Sequence, residues 1–173
     1  IVLNCTTISS IARYCRTGLP LVKKCVTVAG TAVKEPKNVL VPIGMRMGDV
    51  FAACGGFTEE PAKVLYGGPM MGMAVPDLDQ PILKNTNAIL AFTAGTAALP
   101  APTACIRCGN CVAHCPANLM PLEIETAYRR GDTERLAALK VNLCMECGCC
   151  SYGCPANRPL VQVNKLAKAQ VAA

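Results

Sequence analysis

Cysteine spacing constrains this chain more than any other feature. Cys105, Cys108, Cys111 and Cys115 form a C-x2-C-x2-C-x3-C-P run, and Cys144, Cys147, Cys150 and Cys154 repeat it 39 residues later. The trailing residues repeat as well, as Cys115-Pro116-Ala117-Asn118 and Cys154-Pro155-Ala156-Asn157. Three thiolates at x2 spacing wrap one loop around a corner of an iron–sulfur cube and leave the fourth iron to a ligand from elsewhere. In chains with two such runs, the fourth cysteine of each run ligates the other cluster. The pattern therefore predicts two [4Fe–4S] clusters: one on Cys105, Cys108, Cys111 and Cys154, the other on Cys144, Cys147, Cys150 and Cys115. Crossed ligation makes the two sites a single folding unit.

Zinc ribbons also use C-x2-C pairs, but they bring two pairs across a longer loop to one tetrahedral ion. A triple run followed by Cys-Pro, occurring twice, does not fit that design. Disulfides fit no better, because cysteines three residues apart in one loop rarely meet bridge geometry. No secretory signal opens the chain: a basic segment followed by an apolar core is missing from its start.

The cysteine runs occupy only about the last 70 of 173 residues, so a second unit precedes them. Hydrophobic residues make up 52% of the chain, yet no apolar run reaches the ~20 residues of a spanning helix. The longest candidate, residues 88–101, is interrupted by Thr93, Gly95, Thr96 and Pro100. The chain is expected to have no transmembrane segment. Seventeen Lys and Arg against eleven Asp and Glu leave +6, part of which offsets negatively charged clusters. The remainder suits an acidic redox partner or an anionic lipid surface. It is too dispersed, and too poor in interleaved aromatics, for nucleic acid.

Residues 6–17 predict a helix. Ile8, Ile11, Ala12 and Cys15 share a face, Thr6 or Thr7 caps the start, and Gly18 with Pro20 ends it. The period then changes. Leu21-Val22 with Val26-Thr27-Val28, and Val39-Leu40-Val41 before Pro42, read as strands around a turn at Gly30. Met47, Val50, Phe51 and Cys54 mark a short helix closed by Gly55-Gly56. Lys63 to Tyr66, Ile82-Leu83 and Ile89 to Phe92 read as further strands, the last two flanking an Asn85-Thr86-Asn87 turn. Strands, one crossing helix and more strands predict a small α+β sheet compatible with a β-grasp fold. Residues 97–103, with Pro100 and Pro102, read as a linker. Between the cysteine runs, Pro121 opens a helix that Gly131 closes, and Asp132 or Thr133 caps a second reaching about Asn142.

Other residues with chemical potential carry bland readings. Cys5, Cys15, Cys25 and Cys54 fall on apolar faces and are expected to be buried hydrophobes. Cys149 breaks the x2 register and reads as a small packing residue. His114 precedes Cys115, but a Rieske-type site needs two His, so it is expected to tune the cluster or face solvent. The Gly67–Gly72 string lacks the Lys and Ser/Thr of a P-loop and reads as a turn. No Ser/His/Asp or Cys/His catalytic set can be assembled. Arg107 and Glu146 occupy matching positions inside the two runs, so local charge predicts the higher potential for the Cys105 cluster.

The cysteine runs and their surroundings, with Pro159-Leu160-Val161-Gln162 after them, resemble the C subunit of the Rnf electron-transport complex. So do Val26-Thr27-Val28-Ala29-Gly30, Gly67-Gly68-Pro69-Met70-Met71-Gly72 and Lys84-Asn85-Thr86-Asn87-Ala88-Ile89-Leu90. The resemblance spans essentially the whole chain, and Gly-Gly-Pro-Met-Met-Gly is its most specific string. It implies an α+β chain: a small SLBB-like β-grasp domain at residues 20–96, then a bacterial-type two-[4Fe–4S] ferredoxin domain, rich in short helices and loops, at 104–173. Residues 1–19 would be the tail of an upstream flavin-binding domain, since the chain starts at Ile1 and reads as a fragment. Asn4-Cys5-Thr6-Thr7 resembles the family's Asn-x-x-Thr beside the flavin, which makes Asn4 and Thr7 candidate FMN contacts. Without the upstream glycine-rich loops that FMN site is incomplete.

By resemblance, the function is electron transfer in a membrane-associated complex that couples ferredoxin:NAD electron flow to ion transport. The expected partners are the other subunits of that complex and a ferredoxin or flavin redox partner. The expected location is peripheral, on the cytoplasmic face of a bacterial or archaeal membrane. Within an oxidoreductase the chain would be a wire rather than the place of hydride chemistry. Two other readings share the same modules: the cobalamin reductase of bacterial microcompartments, and a freestanding ferredoxin-like carrier.

Overall fold

The computed structural model describes residues 1–172 and divides them into two compact units, residues 1–98 and residues 99 onward.

The first unit is built on a mixed five-stranded sheet. β1 (Lys23–Ala29) alternates strictly, with Lys24, Val26 and Val28 buried and Lys23, Cys25 and Thr27 exposed. That period-2 pattern gives one face to the core and one to solvent. β1 pairs antiparallel with β2 (Lys37–Pro42) and parallel with β5 (Ala88–Phe92). β5 pairs antiparallel with β3 (Lys63–Tyr66), and β3 with the two-residue β4 (Met73–Ala74). The spatial order is β2-β1-β5-β3-β4. A parallel β1–β5 pair requires a long connection, and that connection carries α2 (Met47–Ala53). Met47, Val50 and Phe51 of α2 reach the core formed by Val26, Val28, Val41, Ile82 and Ile89. Truncating Phe51, 1% exposed, would cost about 3–5 kcal/mol. Gly30 is required where β1 ends: its φ is +117°, and an added Cβ would stand 2.0 Å from the Ala91 carbonyl oxygen. The result is the expected α+β, β-grasp-like arrangement.

Several local expectations are corrected. Ile82-Leu83 is not a strand. Ile82 is fully buried, and its N–H donates to the Met45 carbonyl at 2.7 Å, but the pairing there amounts to an isolated bridge between Arg46 and Pro81. β4 has no clear period-2 signal and was not expected from the sequence. Helix α1 (Cys5–Thr17) is capped by Asn4, whose side chain accepts from the Thr6 N–H at 2.9 Å. Thr6 and Thr7 are already inside the helix. Gly18 closes it in the left-handed region at φ +67°. No residue of α1 is buried, so Ile8 and Ile11 form an apolar face turned to solvent. Cys5 and Cys15 are exposed with it, as is Cys25 on the outer face of β1; only Cys54 of that group is buried. The apolar periodicity was real, but these residues face no core within their own unit.

The second unit follows a one-turn helix, α3 (Ala94–Ala97), in the first unit, and consists of short helices packed around two loops. These helices are α4 (Asn110–Ala113), α5 (Pro121–Arg130), α6 (Thr133–Ala138), α7 (Cys149–Tyr152) and α8 (Leu160–Ala172). Pro121 sits at the first turn of α5, and Gly131 closes the helix at φ +69°. Asp132 caps α6 by accepting from the Arg135 N–H at 2.8 Å. α6 ends earlier than expected because Lys140 turns left-handed at φ +54°, leading into a 3-10 turn at Val141–Leu143. Leu119, Ile124, Ala127, Leu136, Val141 and Ala167 make the core. α8, which supplies Ala167, was missed, although Leu160, Asn164, Ala167 and Val171 carry a helical period.

Candidate metal centres

The repeat in sequence is a repeat in backbone. Arg107 and Glu146, each second after the first cysteine of its run, adopt left-handed φ of 54° and 58°. Gly109 and Gly148 follow at 78° and 83°, and Asn118 and Asn157 at 52° and 51°. Each loop then enters a one-turn helix, α4 or α7, that carries the third cysteine, Cys111 or Cys150. Left-handed residues among turn residues aim successive N–H groups into one concavity, an arrangement common around phosphates and iron–sulfur groups. The cost, about 1–2 kcal/mol for each non-glycine residue, is tolerated where the turn is functionally constrained.

The cysteines do not group by run. Cys105, Cys108 and Cys111 share a cavity of about 660 Å3 with Cys154 from the other run. Cys144, Cys147 and Cys150 share a much tighter cavity, about 20 Å3, with Cys115. The exchange is held by packing and polar contacts. Cys111 and Cys154 pack against buried Cys150, Leu160 and Val161. The Asn110 side chain donates to the Gly153 carbonyl at 3.4 Å. Among the described residues, no group of three or more His, Cys, Asp or Glu is drawn together around a single-ion point. The thiols instead line the walls of two spaces.

The two spaces differ in character. The first opens to solvent, with Cys105 and Cys108 exposed, and is lined by Arg107, Arg130 and Arg158 as well as Glu123. The second is lined by Pro116, Ala117, Leu119, Pro121, Met145 and Val161 with no charged side chain. Burial pushes the Cys150 thiol up to about 11 and raises that of Cys111. Cys149 is raised as well, first by its hydrogen bond with Cys147 and then by burial. Such thiols lose their protons to a coordinated metal, whose positive charge reverses the balance.

The donor sets suit an iron–sulfur group. Each space is faced by four thiols from two loops, and N–H groups already point at sulfur. The Arg107 amide donates to Cys105 Sγ and the Leu119 amide to Cys115 Sγ, both at 3.3 Å. Asn164 Nδ2 donates to Cys144 Sγ at 3.7 Å. Asn164 is 1% exposed, and its Oδ1 is the one buried side-chain oxygen without a partner among the described residues. These contacts suit sulfur that carries negative charge.

A buried carboxylate fixes the first site. Glu125 of α5, 1% exposed, accepts from Arg129 Nε at 3.1 Å and from Arg158 Nε at 2.8 Å. Burial alone would raise the Glu125 carboxyl, but hydrogen bonds from Arg158 and Arg129 outweigh it and hold the group below its usual range. Arg158 also reaches the Thr103 carbonyl at 3.1 Å, and the Thr103 amide donates to Ala156 at 2.9 Å. At the second site Lys168 of α8 pairs with Glu146 at 2.7 Å and donates to the Cys144 carbonyl at 3.0 Å. Glu146 is therefore not a bare charge. Sequence reasoning missed Glu125, Arg158, Asn164 and Lys168. Only Glu125 and Arg129, at i,i+4 spacing, left a local signal.

Other candidate residues lie elsewhere. His114 is exposed, and its Nδ1–H donates to the Asn110 carbonyl at 2.8 Å. Asn4 and Thr7, in the first unit, line an open cavity of about 690 Å3 with Lys24, Lys84, Asn85 and Asn87. The Gly67–Gly72 string is a tight turn between β3 and β4. The Gly72 amide donates to Gly68 at 2.8 Å, and a Cβ at Gly72 would lie 2.4 Å from the Gly68 oxygen.

Residues 25–74 match the SLBB domain and residues 104–158 the 4Fe-4S dicluster domain. The chain is 44% identical, over 99% of its length, to the C subunit of the ion-translocating oxidoreductase complex of Rhodobacter capsulatus. It is 42% identical over its full length to the C subunit of the Na(+)-translocating ferredoxin:NAD(+) oxidoreductase complex of Acetobacterium woodii. Identity is 44% over 70% of the chain to the C subunit of the proton-translocating ferredoxin:NAD(+) oxidoreductase complex of Clostridium ljungdahlii. These alignments span 33%, 39% and 26% of the respective relatives. Among the described residues no helix is long and apolar enough to cross a membrane.

Proposed function

The chain is homologous, over nearly all its length, to about a third of the C subunit of ion-translocating oxidoreductase complexes, and from that premise we propose that it is the electron-transfer segment of such a protein. The observation that carries the reading is the exchange of Cys154 and Cys115 between the two cavities. A [4Fe–4S] cluster bound at each site supplies one-electron transfer. Cys105, Cys108, Cys111 and Cys154 would hold the first cluster, and Cys144, Cys147, Cys150 and Cys115 the second. The amides of Arg107 and Leu119, with the Asn164 side chain, stabilise negative charge on sulfur. The interleaved loops keep the two sites within one small unit, as a short electron path requires.

In the whole complex the segment would relay electrons between ferredoxin and NAD, with ion transport performed by other subunits. The segment would sit peripherally on the cytoplasmic face, and its redox partners would be a flavin or a ferredoxin. Asn4 and Thr7 would contact FMN bound mainly by residues that precede this chain. Their shared cavity with Lys24 and Lys84 supports that reading, because lysines near a phosphate-bearing cofactor offset its charge.

Anaerobic reconstitution tests the core of the proposal. Two cubanes require about eight iron and eight sulfide per chain. One or two zinc ions with no sulfide would refute it.

A further inference from the structure

The two sites differ in width and in charge, and the difference selects one of them for contact with another protein. The second cavity is much narrower, about 20 Å3, and has no charged side chain in its walls. The first is open, and its mouth carries three large apolar side chains: Ile106 at 68% exposure, Met120 at 48% and Val112 at 40%. Arg107 and Arg130 line the same cleft, where Glu123 is the one carboxylate. Among the described residues neither guanidinium has an ion-pair partner, whereas Arg129 and Arg158 are spent on Glu125 and Lys168 on Glu146. Exposed apolar groups beside uncommitted arginines make a patch that water alone covers poorly and that negative charge complements.

We propose that this face of the second unit, centred on Ile106 and Met120 and flanked by Arg107 and Arg130, is the docking surface for an acidic electron-carrier protein. The inference rests on the electron-transfer reading and adds to it the site of exchange and the charge of the partner. Cys105 and Cys108 are the exposed thiols of the candidate ligands, so a partner seated here approaches the first cluster across almost no protein. A small apolar centre with a charged rim favours fast, weak association, as an electron carrier must dock and leave within each turnover. The arginines steer encounter over several ångströms and lose that influence as salt rises.

The test measures binding, not turnover, with the full chain and a plant-type [2Fe–2S] ferredoxin as the acidic probe, under anaerobic conditions. Wild-type protein should bind at low salt, with affinity falling about tenfold between roughly 20 and 200 mM NaCl. Arg130→Gln should weaken binding about three- to tenfold, and Arg107→Gln similarly. Arg130 ends α5 and belongs to neither cysteine run, so its variant is informative even if Arg107→Gln disturbs its own loop. Arg135→Gln, on exposed α6, removes the same charge outside the cleft and should bind as wild type. Equal weakening by Arg135→Gln would overturn the surface, since net charge alone would then explain binding. Binding to phosphatidylglycerol vesicles but not to ferredoxin would overturn it in favour of a lipid contact. Iron and sulfide assays on the same samples judge the electron-transfer reading separately: a chain lacking iron that still binds ferredoxin through these arginines keeps the surface and loses that reading.

Discussion

Arg158 and the buried Glu125 form an ion pair that ties together the segments flanking Cys105 and Cys154. The Arg158 Nε donates to Glu125 Oε2 at 2.8 Å, and another nitrogen of the same guanidinium reaches the Thr103 carbonyl at 3.1 Å. Thr103 lies two residues before Cys105, and Arg158 four residues after Cys154. One planar side chain thus ties α5 to both segments whose cysteines share the larger cavity. A single ammonium could not match that geometry, because the guanidinium fork presents several donors in fixed directions.

Removing Arg158 should therefore cost more than an exposed ion pair would. Arg158→Met leaves Glu125 buried with only the exposed Arg129 as partner, and breaking a buried pair costs about 3 kcal/mol. The measurement is the guanidinium midpoint for loss of cluster absorbance, followed anaerobically. Arg158→Lys should recover less than half of the loss. Full recovery by lysine would mean that charge, not the forked geometry, holds the segments.

The same carboxylate predicts an acid dependence. Glu125 has a folded pKa below its ordinary value, so the folded state favours its ionised form. Its contribution to stability is fully present above the unfolded carboxylate pKa, about 4.3. That contribution is lost as pH falls through the lower folded value. Wild-type stability should drop below about pH 5 more steeply than that of Glu125→Gln. Parallel curves for the two proteins, from unfolding midpoints between pH 3 and 7, would remove Glu125 from the acid response.

Much of this arrangement was legible because spacing and chemistry coincide. The two cysteine runs, Pro121 and Gly131 around α5, and the alternation of β1 each follow from local rules, and the folded chain keeps them. What escaped was decided by tertiary context. The face of α1 has the period of a core helix, yet Ile8 and Ile11 meet solvent. Ile82 is core without being strand, its backbone held by Gly44 and Met45 beside an isolated Arg46–Pro81 bridge. Arg158, Asn164 and Lys168 act on loops 20 or more residues away in sequence, and no local window announces those contacts.

The proposed crossed ligation makes a prediction opposite to sequence proximity. Cys115→Ser should damage the cluster held by Cys144, Cys147 and Cys150, and Cys154→Ser the one held by Cys105, Cys108 and Cys111. EPR of the two reduced variants reads which signal each one loses. Loss of the signal nearer in sequence would mean that each run closes its own cluster, and the shared cavities would then have no bearing on ligation.

The last prediction concerns which centre is easier to reduce. Reduction adds negative charge, so nearby cations raise a potential and nearby carboxylates lower it. The first cavity has Arg107, Arg130 and Arg158 in its walls against the single carboxylate of Glu123, and the second has no charged side chain there. Glu146 lies within the second run, but Lys168 pairs with it at 2.7 Å, both side chains about one third exposed. The Cys105 centre should therefore have the higher potential because of its arginines rather than because of a bare Glu146. Lys168→Met would uncover the carboxylate and lower the potential of the Cys144 centre, while Glu146→Gln would raise it by leaving Lys168 unopposed. EPR-monitored redox titration of the three proteins separates the two centres. If neither variant moves the Cys144 potential, solvent screens this pair within the ~8–10 Å Debye length, and the order is set by hydrogen bonds to sulfur such as that from Asn164.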